Sequence, residues 1–105
     1  AVDRSGELVQ LLGCVGRSRA YGSFWAACML AEGAVDTVVD ASLSFYEVAA
    51  LLPLIREAGG VASTLEGDLP EHAGVSVTGV RPVSLVASNT AAVQQQVLEA
   101  LAPQP

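Results

Sequence analysis

Apolar side chains follow two patterns along the chain, and each pattern predicts a different element. Where they recur at spacings of three and four residues, the pattern predicts a helix. Helices are predicted over residues 7–15, 23–32, 45–58 and 91–101. Where short runs of β-branched and apolar residues lie between glycines and polar residues, the pattern predicts a strand. Strands are predicted over residues 35–40, 61–65 and 82–87, and a loop over 66–78, which is rich in Gly, Pro and acidic residues.

The alternation of helices and strands predicts an α/β fold. The expected arrangement is a layered, mostly parallel sheet flanked by helices. A chain of 105 residues corresponds to a single α/β domain, 1–105. The helix over 23–32 is apolar nearly all round, so we expect it to be central, with Phe24 and Trp25 in the core or in a subunit contact.

The helix over 45–58 has both of its ends marked in the sequence. Ser44 and Glu47 have the Ser-x-x-Glu spacing of a capping box, and Leu43 precedes the cap where a hydrophobic staple would begin. Gly59-Gly60 supplies a left-handed stop. Because nearly every position between is apolar, we expect this helix to be buried over most of its surface. The Glu47 carboxylate has two possible roles, as a helix cap alone or as a cation ligand.

Composition excludes several classes of function. A content of 51% hydrophobic and 15% charged residues is typical of a folded globular domain. The net charge of -6 and the absence of Lys argue against nucleic-acid binding, and no apolar run reaches the length of a membrane span. Cys14 and Cys28 are predicted to be buried free thiols of a reducing compartment, and we therefore expect a cytoplasmic protein.

The remaining candidate chemistry depends on oxygen ligands. The sequence has no Gly-Lys-Ser/Thr phosphate loop, no Gly-x-Ser-x-Gly elbow and no Cys/His cluster with zinc spacing, and His72 is expected to be a solvated loop residue. Carboxylates and hydroxyls at the ends of strands and helices remain. Such groups favour hard cations such as Mg²⁺.

Five sequence motifs, taken in order, resemble the second half of the inositol monophosphatase superfamily. The closest resemblance is to the bacterial histidinol-phosphate phosphatases, whose motifs include Arg-x-Arg-x-Tyr-Gly-Asp-Phe-Trp and Leu-Ser-Leu-Trp-Asp-x-Ala-Ala-Leu. The resemblance covers about residues 17–102. The matching motifs are Arg-Ser-Arg-Ala-Tyr-Gly-Ser-Phe-Trp (17–25), Leu-Ala-Glu-Gly-Ala-Val-Asp (30–36), Leu-Ser-Phe-Tyr-Glu-Val-Ala-Ala-Leu (43–51), Glu-Ala-Gly-Gly (57–60) and Val-Ala-Ser-Asn (86–89).

The resemblance implies a Mg²⁺-dependent hydrolysis of a small phosphorylated metabolite by a metal-activated water. It also implies that this chain is equivalent to the C-terminal domain of a two-domain phosphatase. The N-terminal half, which carries most metal ligands and the phosphate cradle in that family, is absent from the sequence and is an expected partner. Because the halves of the family pack together, we expect this half alone to expose apolar surface and to form a homo-oligomer such as a dimer.

Residue by residue, the resemblance identifies one metal position and four positions near the substrate. Glu47 stands where the family has a metal-binding Asp, and its side chain is longer by one methylene. Asp40 matches an acidic position that contacts polar groups of the substrate; as residues alone, it also suits a turn at a strand end. Gly22 and Ser23 match a Gly-Asp pair whose Asp can meet a cationic amine. Arg19 is expected beside the pocket; as a residue alone, it also suits a solvated loop or an interface pair. No residue of this chain is identified as catalytic.

Two functions remain open at this point. In the first, the chain joins its N-terminal half and hydrolyses a histidinol-phosphate or inositol-phosphate type of ester, while the isolated chain is inactive. In the second, it is a non-catalytic remnant or interaction domain that keeps the fold without a complete metal site. The order of the motifs supports the first function. The changes at Glu47 and Ser23 support the second.

Overall fold

The structure, a computed structural model, describes residues 5–21, 23–72, 75–76, 79–80 and 82–103. The helices are α1 (Ser5–Leu12), α2 (Ser23–Ala31), α3 (Phe45–Glu57) and α4 (Ala91–Leu101). The strands are β1 (Thr37–Leu43), β2 (Val61–Ser63), β3 (Val75–Ser76), β4 (Gly79–Val80) and β5 (Val83–Ser88), and a 3₁₀ turn covers Pro70–His72. Each predicted helix and strand is found, with ends within three residues of the prediction, whereas β3 lies in the segment predicted to be a loop.

The main sheet has the strand order β1-β5-β2, and both of its strand pairs are antiparallel. The predicted mostly parallel sheet is therefore wrong. The α3 crossover does make β1 and β2 run in the same direction, but β5 lies between them and runs the opposite way. The succession of β1, α3 and β2 predicts that β1 and β2 run in the same direction. It does not predict that β5, a strand from later in the chain, lies between them.

Helices cover both faces of this sheet. On one face, α2 and α3 pack on a buried cluster that includes Val83, Leu85 and Ala87 of β5. On the other face, α1 and α4 pack around Val86. Successive side chains of a strand point to opposite faces, so β5 is buried on both. The predicted layered α/β arrangement is confirmed.

A buried hydrogen-bonded network joins α4 to the sheet. The side-chain amide of Gln94 donates to Ser63 Oγ and to the Val86 carbonyl, both at 2.9 Å. Ser88 Oγ donates to Gln94 Oε1 at 2.7 Å and lies 2.8 Å from Thr37 Oγ1. Polar groups in a protein interior are costly unless paired, and this network pairs side chains from all three strands with α4.

The C-terminus of α3 ends in the predicted left-handed stop. Gly59 has φ +88°, its N–H donates to the Arg56 carbonyl, and the N–H of Gly60 donates to the Ile55 carbonyl. This pair of bonds is the Schellman motif. A Cβ at Gly60 would lie 2.9 Å from Ile55 Cγ2, so the second glycine permits a close approach of the chain to the helix.

Two expectations about helix burial are wrong in the described chain. Helix α3 buries one face through Val48, Leu51, Leu52 and Ile55, while Tyr46 is 75% exposed. Helix α2 is not central, because Phe24 and Trp25 are 66% and 62% exposed. In the part of the chain that the structure describes, both helices pack on the sheet, and no further layer covers their outer sides.

The cysteines follow the prediction only in part. Both are free, as expected, but Cys14 is exposed and Cys28 is half-buried, so the predicted burial is wrong for Cys14. Cys14 lies in the turn after α1, where its thiol donates to the Gln10 carbonyl. None of the helices within the described residues is both long and apolar enough to cross a bilayer.

Candidate functional site

The N-terminus of α3 presents a carboxylate that its own cap orients. Ser44 has the extended conformation of an N-cap, and its Oγ accepts the Glu47 N–H at 3.1 Å. The same hydroxyl donates to Glu47 Oε1 at 3.3 Å. Leu43 and Val48 are both buried in one cluster, as expected for a hydrophobic staple. The predicted cap is therefore confirmed, and the positive end of the helix dipole lies beside the carboxylate.

A cavity of about 450 Å³ lies between α2 and α3 next to this carboxylate. Phe24 of α2 and Tyr46, Glu47, Ala50 and Leu51 of α3 line it. One acidic group therefore stands at the edge of an otherwise apolar and aromatic hollow. Such a surface suits an apolar ligand or another protein surface, with the carboxylate available for a cation or a polar group.

Asp40 lies where β1 departs from regular pairing. It is paired with Leu85, Leu43 is paired with Val83, and the register shifts between these two pairs because β1 carries one extra residue there. The Asp40 carboxylate accepts the Ser42 N–H at 3.1 Å, which stabilises this irregular segment. Among the described residues that line the cavity, Asp40 is not included. Its contact with substrate stays a prediction.

The other substrate positions lie on the segment that leads into α2. Arg19 is exposed, and its Nη1 donates to the Ser18 carbonyl at 2.6 Å. Ser23 is the first residue of α2, and Gly22 lies outside the described residues. The structure brings together Glu47, Tyr46 and Phe24, and it does not place Arg19 or Asp40 in the lining of the same cavity. The roles of Arg19, Gly22 and Ser23 stay predictions.

The described residues do not form a magnesium site on their own. No group of three or more His, Cys, Asp or Glu side chains among them could hold a metal ion. Mg²⁺ requires near-octahedral oxygen coordination, which a single carboxylate, Glu47, cannot provide. Further ligands would have to come from residues outside the described part of this chain.

Two aromatic residues of this cavity were not identified as site residues from the sequence. Phe24 was expected in the core or in a subunit contact, and no role was predicted for Tyr46. Both side chains are exposed and border the cavity. A signal for Tyr46 was present, because it directly precedes Glu47 in the first turn of α3. Phe24 needed the packing of α2 against α3, which sequence periodicity does not give.

The sequence of this chain also matches the sequence profile of a known protein family. The sequence profile of the inositol monophosphatase family matches residues 4–104. The chain belongs to this family. The predicted resemblance to its histidinol-phosphatase members is also confirmed, since two proteins named histidinol-phosphatase are similar to this chain. Enzymes of the family are generally metal-dependent.

The matches to the two histidinol-phosphatases cover only part of the length of those proteins. The protein of Mycobacterium tuberculosis is 42% identical over 69 residues, which are 66% of this chain and 26% of that protein. The protein of Streptomyces coelicolor is 43% identical over 60 residues, which are 57% of this chain and 23% of that protein. The matched region therefore spans about a quarter of each relative.

Two solved structures of similar proteins share the fold of this chain over part of their length. A protein of Pyrococcus horikoshii, described as having similarities to inositol-1 monophosphatase, aligns with a TM-score of 0.75 and 27% identity. That alignment covers 90% of this chain and 38% of the other. Staphylococcal IMPase-II aligns with a TM-score of 0.74 and 23% identity, over 93% of this chain and 37% of the other. This chain therefore has the fold of a part of these proteins.

Proposed function

We propose that this chain is the C-terminal, substrate-side part of a Mg²⁺-dependent phosphatase that hydrolyses a small phosphate monoester of the histidinol-phosphate or inositol-phosphate type. The observation that carries the proposal is the Glu47 carboxylate, which Ser44 orients at the edge of the cavity between α2 and α3. In this family, the position of Glu47 belongs to a metal-binding carboxylate. The assembled protein is expected to act in the cytoplasm as a homo-oligomer such as a dimer.

In this proposal the chain supplies one ligand and part of the substrate pocket. Glu47 provides a single carboxylate for Mg²⁺, and the N-terminal part of the enzyme provides the remaining ligands and the phosphate-binding groups. Phe24 and Tyr46 form an apolar and aromatic wall beside Glu47, which suits the organic portion of the ester. Asp40 and Arg19 are available on neighbouring segments for its polar groups. With Ser23 in place of an acidic residue, we expect weak discrimination in favour of a cationic amine.

The test combines this chain with the N-terminal part of the Mycobacterium tuberculosis histidinol-phosphatase and measures phosphate release in the presence of Mg²⁺. We expect the isolated chain to be inactive and the assembled pair to hydrolyse histidinol phosphate or inositol phosphate. Glu47→Gln removes a charged metal ligand and should lower kcat at least about a hundredfold. Glu47→Asp should keep activity, because it restores the shorter carboxylate of the family. Glu57→Gln, on the same helix, is the charge-matched control and should be active.

A second function is favoured by a specific observation. Ser44 and Glu47 form a helix cap that explains the carboxylate without a metal, and the described residues contain no metal-binding cluster. A non-catalytic interaction domain would need only the fold and its exposed surface. The absence of turnover from a folded, assembled pair would favour this function over the phosphatase.

A further inference from the structure

The cavity between α2 and α3 combines one negative charge with apolar and aromatic walls. Glu47 is the only charged side chain among the described residues that line it. The other lining residues are the aromatic Phe24 and Tyr46 and the aliphatic Ala50 and Leu51. Both aromatic side chains are mostly exposed, so a small molecule can reach them directly from water. This lining fits a ligand that carries a positive charge on an apolar body.

Helix α3 does not neutralise the charge of Glu47. Its basic residue, Arg56, lies in the last turn, roughly 13 Å further along the helix axis. Both of its terminal nitrogens donate to the Glu71 carboxylate, at 2.7 and 2.9 Å. The helix dipole places about half a positive charge at the N-terminus, which is less than the full negative charge of a carboxylate. The helix therefore leaves a net negative charge at the edge of the cavity.

The lining favours an organic cation over Mg²⁺ in this chain alone. Mg²⁺ gives up its water reluctantly and needs several oxygen ligands, whereas Glu47 is the only carboxylate among the described lining residues. A primary ammonium group instead brings three N–H donors and can use a single carboxylate. Aromatic rings attract such a cation, and an apolar body attached to it would cover Ala50 and Leu51.

The helix cap is compatible with this ligand. Ser44 Oγ donates to Glu47 Oε1 at 3.3 Å, which is long for an O–H···O bond. A carboxylate has about four acceptor positions, so an ammonium group can add a partner while the Ser44 bond remains.

We propose that this cavity binds a small organic cation, a primary ammonium attached to an apolar or aromatic group. Glu47 pairs with the ammonium, and Phe24 and Tyr46 contact the cation and its apolar body. Because Glu47 is also the proposed Mg²⁺ ligand, the amine and Mg²⁺ exclude each other in the assembled enzyme. This exclusion rests on the proposed function, whereas binding to the isolated chain does not.

The test titrates the isolated chain with phenethylammonium and follows its amide NMR spectrum. We expect saturable shifts at Phe24, Tyr46, Glu47 and Ala50, with a Kd in the millimolar range typical of such a small ligand in an open site. Phenethyl alcohol keeps the ring without the charge, and methylammonium keeps the charge without the ring. Each should bind at least about fivefold more weakly. Added NaCl should weaken binding of the amine and not of the alcohol.

Matched variants assign the binding to these side chains. Glu47→Gln should weaken the amine at least about threefold and leave the alcohol unchanged. Its melting temperature should stay close to that of the unchanged chain, because Gln also suits the third position of a capping box. Phe24→Leu keeps an apolar wall without the ring and should weaken the amine about twofold or more. Glu57→Gln, an exposed change on the same helix, is the control and should bind like the unchanged chain.

The isolated chain decides the binding site without any measurement of turnover. Shifts that are selective for the amine and depend on Glu47 support it. Equal binding of amine and alcohol, amine binding that survives Glu47→Gln, or the lack of saturable shifts at the cavity overturns it.

The assembled protein decides the exclusion. The amine should raise the Mg²⁺ concentration that gives half-maximal phosphate release, without changing the maximal rate. A Mg²⁺ requirement that the amine leaves unchanged overturns the exclusion. The absence of phosphate release counts against the proposed phosphatase, and the binding site is then judged on the isolated chain.

Discussion

The hydroxyl of Ser44 makes two hydrogen bonds to Glu47. It accepts the backbone N–H of Glu47 and donates to the carboxylate of the same residue. The first bond closes the helix and the second restricts the side chain that would bind a cation. The cap can therefore act as a positioning group for Glu47, and its loss would affect both stability and the site. This part of the site follows from sequence, since the two residues are three positions apart.

Ser44→Ala should lower the free energy of unfolding by about 1 kcal/mol, the usual effect of removing an N-cap side chain. Ser44→Asn should restore most of this loss, because Asn caps helices about as well as Ser. Urea denaturation monitored by circular dichroism gives both values. Ser42→Ala, two residues away in β1, is the control and should differ little from the unchanged chain. Equal stability of the Ala and Asn variants would show that the cap contributes nothing.

Asp40 illustrates what local sequence could not give. Its carboxylate bonds to the Ser42 N–H at an irregularity that exists only because β1 pairs with β5, whose residues lie more than forty positions later. The sequence pattern suggested a turn residue at a strand end, and the strand continues beyond it to Leu43. The irregular pairing depends on a distant partner, so inspection of residues 35–40 could not reveal it.

Helix α4 is held to the sheet by a polar contact as well as by its apolar stripe. Gln94 is buried and hydrogen-bonded to Ser63, Ser88 and the Val86 carbonyl. The periodicity of residues 91–101 predicted the helix correctly. The polar side chain of Gln94, however, is of a type usually found on the solvent-exposed face of a helix. Its burial results from the polar side chains that β2 and β5 place opposite it, which is a tertiary relation.

Gln94→Ala should destabilise the chain by about 2–3 kcal/mol, because it leaves buried donors and acceptors of the sheet unpaired. Gln95→Ala is a matched control on the same helix. Among the described residues its exposed amide bonds only to Glu99, one turn away, and the change should cost about 0.2–0.5 kcal/mol. Equilibrium unfolding in urea measures both. A similar, small effect of the two substitutions would contradict the structural role assigned to the network.

The outer sides of α2 and α3 show the limit of sequence prediction for elements. Both helices are apolar around most of their circumference, and this pattern predicts that each helix is buried on all sides. The prediction would be correct only where a further layer covers the outer sides of the two helices. Within the described chain, one side of each helix packs on the sheet and the other side is open. Apolar periodicity does not distinguish a helix buried by its own domain from one buried by another domain.

The whole chain belongs to the inositol monophosphatase family and contains the fold of only a part of it. The layered helices and strands could be predicted from the sequence, whereas the antiparallel order β1-β5-β2 could not. Short apolar strands look alike in either direction. The family motifs identified Glu47 as a candidate metal ligand. Only the structure showed that the described residues contain no group of three or more side chains that could hold a metal ion.

Metal should therefore stabilise the assembled protein and not the isolated chain. Millimolar Mg²⁺ should leave the melting temperature of the isolated chain unchanged, because one carboxylate binds the ion too weakly. The complex with the N-terminal part should melt at a higher temperature in Mg²⁺ than in a chelator. Glu47→Gln should reduce this difference, and Glu57→Gln should keep it. An increase for the isolated chain alone would mean that this chain already holds the ion.

The central position of β5 determines when the sheet can exist during synthesis. In the described three-stranded sheet, β1 and β2 pair only with β5, and Thr37 meets Ser88, which is made 51 residues later. Until residues 83–88 have left the ribosome, neither strand has its partner, so the nascent chain can hold its helices but not its sheet. Such distant pairing also slows folding. A polypeptide that stops before β5 would lose both ladders at once and leave two unpaired strand edges exposed to aggregation.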